Sequence, residues 1–90
     1  MSELIQEYST HATSDDVDYI VRAYAEERPD GTWVGWIEFH PVGSNNPVLS
    51  TGQETSQPNR VTIEYWASGL EPIYFEGALE RAHVQHSIGS

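Results

Sequence analysis

Hydrophobic and polar positions alternate with a period of two from Val17 to Glu26. Val17, Tyr19, Val21, Ala23 and Ala25 fall on one side, and Asp18, Ile20, Arg22, Tyr24 and Glu26 on the other. Such alternation predicts a strand with one buried face. The tetrapeptide Arg28-Pro29-Asp30-Gly31 follows. Proline presets φ at the second turn position, aspartate suits the third, and glycine accepts a positive φ after it. Alternation resumes over Thr32 to His40, with Trp33, Gly35, Ile37 and Phe39 opposed to Val34, Trp36, Glu38 and His40. Residues 17–40 are therefore expected to form an antiparallel hairpin. A glycine between two tryptophans weakens a strand unless another element approaches closely there, so Gly35 predicts such an approach.

The flanking segments are less regular. Residues 1–16 are polar and rich in Ser and Thr, with Leu4, Ile5 and Tyr8 as an apolar patch. They are expected to form a flexible N-terminal arm, leaving residues 17–90 as a single domain; the helical spacing of the three apolar residues keeps a short docked helix open. Pro41 to Pro47 reads as a loop, and Val48, Leu49 and Thr51 as a short third strand before the polar stretch Gln53 to Asn59. Over residues 60–67, the alternation of Val61, Ile63 and Tyr65 favours a fourth strand. Thr55 or Ser56 followed by Pro58 favours a short helix instead. Ser68 and Glu71 stand at capping-box spacing, Pro72 fits a first turn, and Phe75, Leu79 and Ala82 recur at helical intervals. An amphipathic helix is predicted from Glu71 to about His86, with Gly77 and Ala78 letting it lie close to the sheet over Gly35. The expected fold is α+β: a three-stranded antiparallel meander packed by a C-terminal helix.

Composition refines this picture. Hydrophobic residues make up 38% of the 90 positions and aromatic residues 11%, including three Trp and five Tyr, so the core should rest on rings. A chain of this length buries only about 60 to 65% of its unfolded surface. There is no cysteine, which removes disulfides, thiolate nucleophiles and zinc-finger chemistry and fits a cytoplasmic location. Fourteen acidic residues oppose four arginines, with no lysine, for a net charge of -10. No basic patch exists to release counterions, so direct nucleic-acid binding is not expected, and neither is an anionic membrane. Residues 1–30 hold eight of the acids and two of the arginines, a net -6; the remaining 60 residues contribute -4.

Few groupings carry chemistry. Glu80, His83 and His86 stand three apart on the C-terminal helix, the one metal-like set, but a carboxylate di-iron site needs further ligands on other helices. No metal or cofactor is expected. The acidic clusters Asp15, Asp16, Asp18 and Glu26, Glu27, Asp30 lack the calcium-loop pattern. They read as solvated charge. His40, at a strand end with Glu38 and Trp36 nearby, is the best lone acid–base candidate. No glycine-flanked serine elbow or phosphate loop accompanies it. Aromatic residues are too numerous for one small hydrophobic face, so Trp36, Trp66 and Tyr74 are expected to form a surface for a protein partner or a second copy. Two alternatives stand beside this: an acidic mimic that occupies the basic groove of a nucleic-acid-binding protein, and a small ligand binder or enzyme using His40.

Asp30-Gly31-Thr32-Trp33-Val34 in the hairpin and Thr51-Gly52-Gln53-Glu54-Thr55 before the C-terminal region resemble the pattern of HicB-like antitoxin domains, over roughly residues 19–82. The resemblance implies a three-stranded sheet with a packed helix and an antitoxin-like or regulatory role. The Pro-Gly-Cys turn of that family is absent here and Ser68-Gly69 interrupts the helix, and no DNA-binding tail is expected. Thr55-Ser56-Gln57-Pro58-Asn59, Tyr65 to Pro72 and Gly77 to Ala82 are similar to small bacterial proteins without assigned function, many of them cyanobacterial. This second resemblance implies a helix at residues 60–67.

Overall fold

The computed structural model describes residues 2–89. Its elements are β1 (Glu3–Glu7), β2 (Ala12–Ser14), β3 (Val17–Glu27), β4 (Trp33–Pro41), β5 (Leu49–Ser50), β6 (Thr55–Gln57), α1 (Arg60–Ser68) and α2 (Pro72–Gly89). All six strands join one antiparallel sheet. The long β3–β4 hairpin is its centre, with β1 and β2 along the outer side of β3 and β5 and β6 along the outer side of β4. The expected α+β class holds, and the sheet is larger than a three-stranded meander.

The central hairpin is set by its turn. The Gly31 amide donates to the Arg28 carbonyl at 2.9 Å, and the Arg28 amide to the Thr32 carbonyl at 2.7 Å. Gly31 takes a φ of 88°, the left-handed position that follows a type I turn in a short hairpin loop. Asp30 accepts from both the hydroxyl and the amide of Thr32. These bonds, the hydroxyl foremost, hold its carboxyl below the usual carboxylate range.

Three expectations about which elements form are corrected. Residues 3–14, expected as part of a flexible arm or a short helix, form β1 and β2, both paired with β3. Asp15 and Asp16 take φ values of 53° and 64°, the consecutive left-handed residues of a two-residue hairpin. Aspartate tolerates that region better than most residues, because its short side chain can bond locally. Tyr8 and Ala12 belong to the core; the Tyr8 hydroxyl donates to the Ala67 carbonyl at 2.5 Å, and its ring lies 4.6 Å from that of Phe75. Burial, and then the neighbouring Tyr74, push the Tyr8 phenol well above its ordinary value.

Second, residues 60–67 are helical, not a fourth strand. Asn59 is the N-cap: its side chain accepts from the Thr62 amide at 3.0 Å, and Thr62 returns the contact in a capping box. The alternation of Val61, Ile63 and Tyr65 is coincidental, since Val61 and Tyr65 are 74% and 80% exposed while Ile63 and Ala67, one turn apart, are buried. Third, part of the polar stretch Gln53 to Asn59 is β6, an edge strand that pairs Thr55 to Gln57 with Trp33 to Gly35.

Helix α2 begins at Pro72, as proline at a first helical position predicts. Ser68 caps nothing on α2; its hydroxyl donates to the Tyr65 carbonyl and closes α1. Phe75, Ala78, Leu79 and Ala82 form the buried stripe against Val21, Ala23, Ile37, Phe39 and Leu49. The helix above Gly35 is α1 rather than α2: a Cβ built on Gly35 would meet Trp66 at 2.8 Å and Ile63 at 3.1 Å. Thr51 is the one buried polar side chain of the described core, and its hydroxyl accepts from the Ile37 amide and donates to the Gly52 carbonyl. No helix among the described residues is long and apolar enough to cross a membrane.

Candidate interaction site

The helices cover one face of the sheet, and strand alternation fixes what is left on the other. Tyr19, Val21, Ala23 and Ala25 of β3, with Gly35, Ile37 and Phe39 of β4, point to the helices and are buried. Ile20, Tyr24, Val34, Trp36, Glu38 and His40 therefore face away and are half-buried. Leu4 of β1 pairs with Tyr24 and is 49% exposed, so it extends this row across three strands.

The centre of the open face is ordered by Glu38. Trp36 Nε1 donates to Glu38 Oε2 at 2.9 Å, and His40 Nε2 lies 3.0 Å from Glu38 Oε1. The Tyr24 ring stacks near both neighbours, 6.3 Å from Trp36 at 15° and 6.2 Å from His40 at 29°. One carboxylate thus holds two rings on alternate positions of β4, and a third ring from β3 packs beside them. Arg22, opposite Glu38, is engaged by Glu7 at 2.8 Å. The result is a pre-organised aromatic patch with an acidic border, suited to surface recognition.

The three expected interaction residues do not share this patch. Trp36 lies on the open face, whereas Trp66 and Tyr74 pack against the core on the helix side. Trp66 is the lid over Gly35. Tyr74 donates to Glu54 Oε1, and Arg81 donates to both oxygens of Glu54, at 2.5 and 3.2 Å. The Arg81 guanidinium also sits 5.4 Å from the centre of the Tyr74 ring. This triad ties α2 to the segment before β6. Burial raises the Glu54 carboxyl, but the hydrogen bonds from Arg81 and Tyr74 outweigh it and hold the group below its ordinary range. Burial, and then the Glu54 bond, push the Tyr74 phenol up to about 12.

A pH dependence follows from that phenol. A folded pKa above the unfolded value means that the contribution is complete below the ordinary value of 10.0 and lost as pH rises towards 12. Tyr74→Phe is expected to cost about 1 to 2 kcal/mol at pH 7, as one hydrogen bond to a charged group. The gap between the two proteins should close between pH 10 and 12. Urea denaturation of both proteins across that range checks this; parallel loss of stability would contradict it.

A groove of about 720 Å³ runs between residues 10–14 and one side of α2. Neither Glu38 nor His40 lines it. His83 lies in the groove with its Nε2 3.2 Å from the Ser14 hydroxyl, and Glu80 lines the same wall. His86 is exposed and outside that lining. Among the described residues, no three His, Asp or Glu side chains converge to hold a metal ion. The signal for Tyr24 was present in the sequence as the direct cross-strand neighbour of Trp36, readable once the hairpin register follows from the turn.

No family model matches the sequence, and neither a curated protein nor a solved structure is significantly similar to it.

Proposed function

We propose that this chain is a non-enzymatic interaction module whose open sheet face docks a basic partner protein around Trp36 and Tyr24. The observation that carries the proposal is a sheet covered by helices on one face only, with Leu4, Ile20, Tyr24, Val34 and Trp36 on the other. Tryptophan and tyrosine anchors in a patch that excludes water supply most of the energy of a typical interface. Glu38 spends its acceptors on Trp36 and His40, so these rings are fixed before a partner arrives, which reduces the ordering cost of binding.

Charge selects the partner. Two copies would bring together two bodies of net charge -10, whereas a partner rich in Arg and Lys is steered to the surface. A nucleic-acid-binding protein with a basic groove is one such partner, and an antitoxin-like or accessory role would use the same contact. Absence of cysteine suits a cytoplasmic setting for it.

The test compares the wild-type chain with Trp36→Ala in affinity capture from its native host, followed by titration of the identified partner. Trp36→Ala is expected to keep its circular dichroism spectrum and to weaken binding about 30-fold, the loss of a hot spot of roughly 2 kcal/mol. Unchanged affinity would overturn the proposal. A wild-type dimer in light scattering that Trp36→Ala converts to a monomer would assign the face to a second copy instead.

A further inference from the structure

The groove on the other side of the molecule has a chemistry of its own. Five consecutive residues, 10–14, form one wall, and they include β2, whose one strand partner among the described residues is β3. Among the described residues no strand lies on its other edge, and such an edge is a template for an added one. Buried Phe75 and Leu79 of α2 and buried Ala12 of β2 supply an apolar floor. The helical wall carries Glu76 and Glu80, four residues apart and so on one side of α2. Among the described residues neither carboxylate has a cationic partner. The chain cannot supply one from its own arginines without giving up other contacts. Arg22 is held by Glu7, Arg28 by Gln53 and Ser56, Arg60 by Glu3 and Glu64, and Arg81 by Glu54.

From this combination we infer that the groove binds an extended basic peptide segment of a partner protein, laid beside β2 as an added strand. Its apolar side chains enter the floor over Phe75 and Leu79, and its arginine or lysine side chains meet Glu76 and Glu80. Main-chain bonds along β2 supply affinity and the alternating side chains supply selectivity, as in other cases of strand addition. The volume of about 720 Å³ holds a few side chains and not a folded domain. The inference rests on the chain being a protein-interaction module, but it uses a surface separate from the Trp36 face.

The probe is an acetylated, fluorescein-labelled peptide of about ten residues that alternates valine with arginine, set against the same peptide with glutamate for arginine. Fluorescence anisotropy is expected to show micromolar binding of the basic peptide alone. The double variant Glu76→Gln/Glu80→Gln should weaken it at least about tenfold, whereas Glu27→Gln/Glu64→Gln, which removes the same charge elsewhere, should change it less than about threefold. Trp36→Ala should leave it unchanged. Amide shifts in a nitrogen-15 spectrum should concentrate in residues 10–14 and 72–84.

Binding weaker than millimolar, equal losses in the two charge variants, or shifts centred on Tyr24 and Trp36 would each overturn the groove site. The last outcome would leave the interaction-module reading standing. Failure of the Trp36→Ala titration with the captured partner, with peptide binding intact, would overturn the open-face site alone.

Discussion

Phe39→Ala is expected to unfold most of the protein at 37 °C. Phe39 is the largest fully buried side chain among the described residues, near the C-terminal end of β4, with its ring set edge-on to Tyr19 at 6.4 Å. It stands at the junction of the sheet with α2, whose buried stripe belongs to the same cluster. Truncating a buried phenylalanine removes its transfer free energy and leaves a cavity, at a cost of about 3 to 5 kcal/mol. A domain of this size has roughly 5 kcal/mol to lose, near the lower end for folded proteins. A drop in melting temperature of about 15 °C or more is expected, since each kcal/mol shifts a small domain by about 4 to 8 °C. Calorimetry checks this, and a shift under about 5 °C would mean that the cluster relaxes around the loss. Leu49, on the neighbouring strand and opposite Phe39, would then have to fill the space.

Gly35→Val is expected to destabilise by the opposite route. The Cβ alone would stand 2.8 Å from the Trp66 ring and 3.1 Å from both Ile63 and Thr55. Valine adds two methyl groups to that position, beneath a helix that is also tied to β1 through Arg60 and Glu3. Overpacking of this kind costs about 1 to 3 kcal/mol. The penalty should shrink when Trp66→Leu is combined with it, because the smaller side chain vacates the contact. A double-mutant cycle in urea reads this directly: the two changes should deviate from additivity by more than about 0.5 kcal/mol. Strict additivity would show that Gly35 is needed for something other than the approach of α1.

How much of this was legible in the sequence depends on the origin of each signal. The β3–β4 hairpin was legible because turn chemistry and two alternating patterns agree on it. Gly35 correctly announced a close neighbour, but spacing cannot say which helix, and it was α1. The small pair Gly77 and Ala78 misled in that respect: Ala78 is buried, while a Cβ on Gly77 would meet only the Arg81 side chain. β1 and β2 were missed because they lie at an edge, where exposed polar positions are tolerated and composition mimics a loose terminus. Tyr8 and Ala12 enter the core through long-range contacts that no local pattern encodes. Helix α1 was ambiguous because the apolar residues on its exposed side, Val61 and Tyr65, combine with buried Ile63 to imitate a strand. The Asn59–Thr62 capping box was the local signal that could have decided it.

The proposed docking face shows the same division. Trp36, Glu38 and His40 sit on one side of β4 by simple alternation, and the structure brings them together with Tyr24. Trp66 and Tyr74 were grouped with Trp36 by residue type alone. Their packing on the opposite side depends on the crossing of the chain after β6, which residue type does not encode. The groove required two distant segments, residues 10–14 and α2, to meet.

The bond from the Tyr8 hydroxyl to the Ala67 carbonyl joins positions 59 apart. During synthesis the first two strands leave the ribosome well before the helices that cover their apolar side chains. The β3–β4 hairpin, complete by residue 41, is marginal in water without a packed face. Tyr8 and Ala12 therefore wait for Ala67, Phe75 and Leu79, and stable structure has to be deferred until both helices are available. A nascent chain stalled before α2 would expose the apolar face of the sheet, so this small domain favours folding in one late, concerted event over growth from its N-terminus.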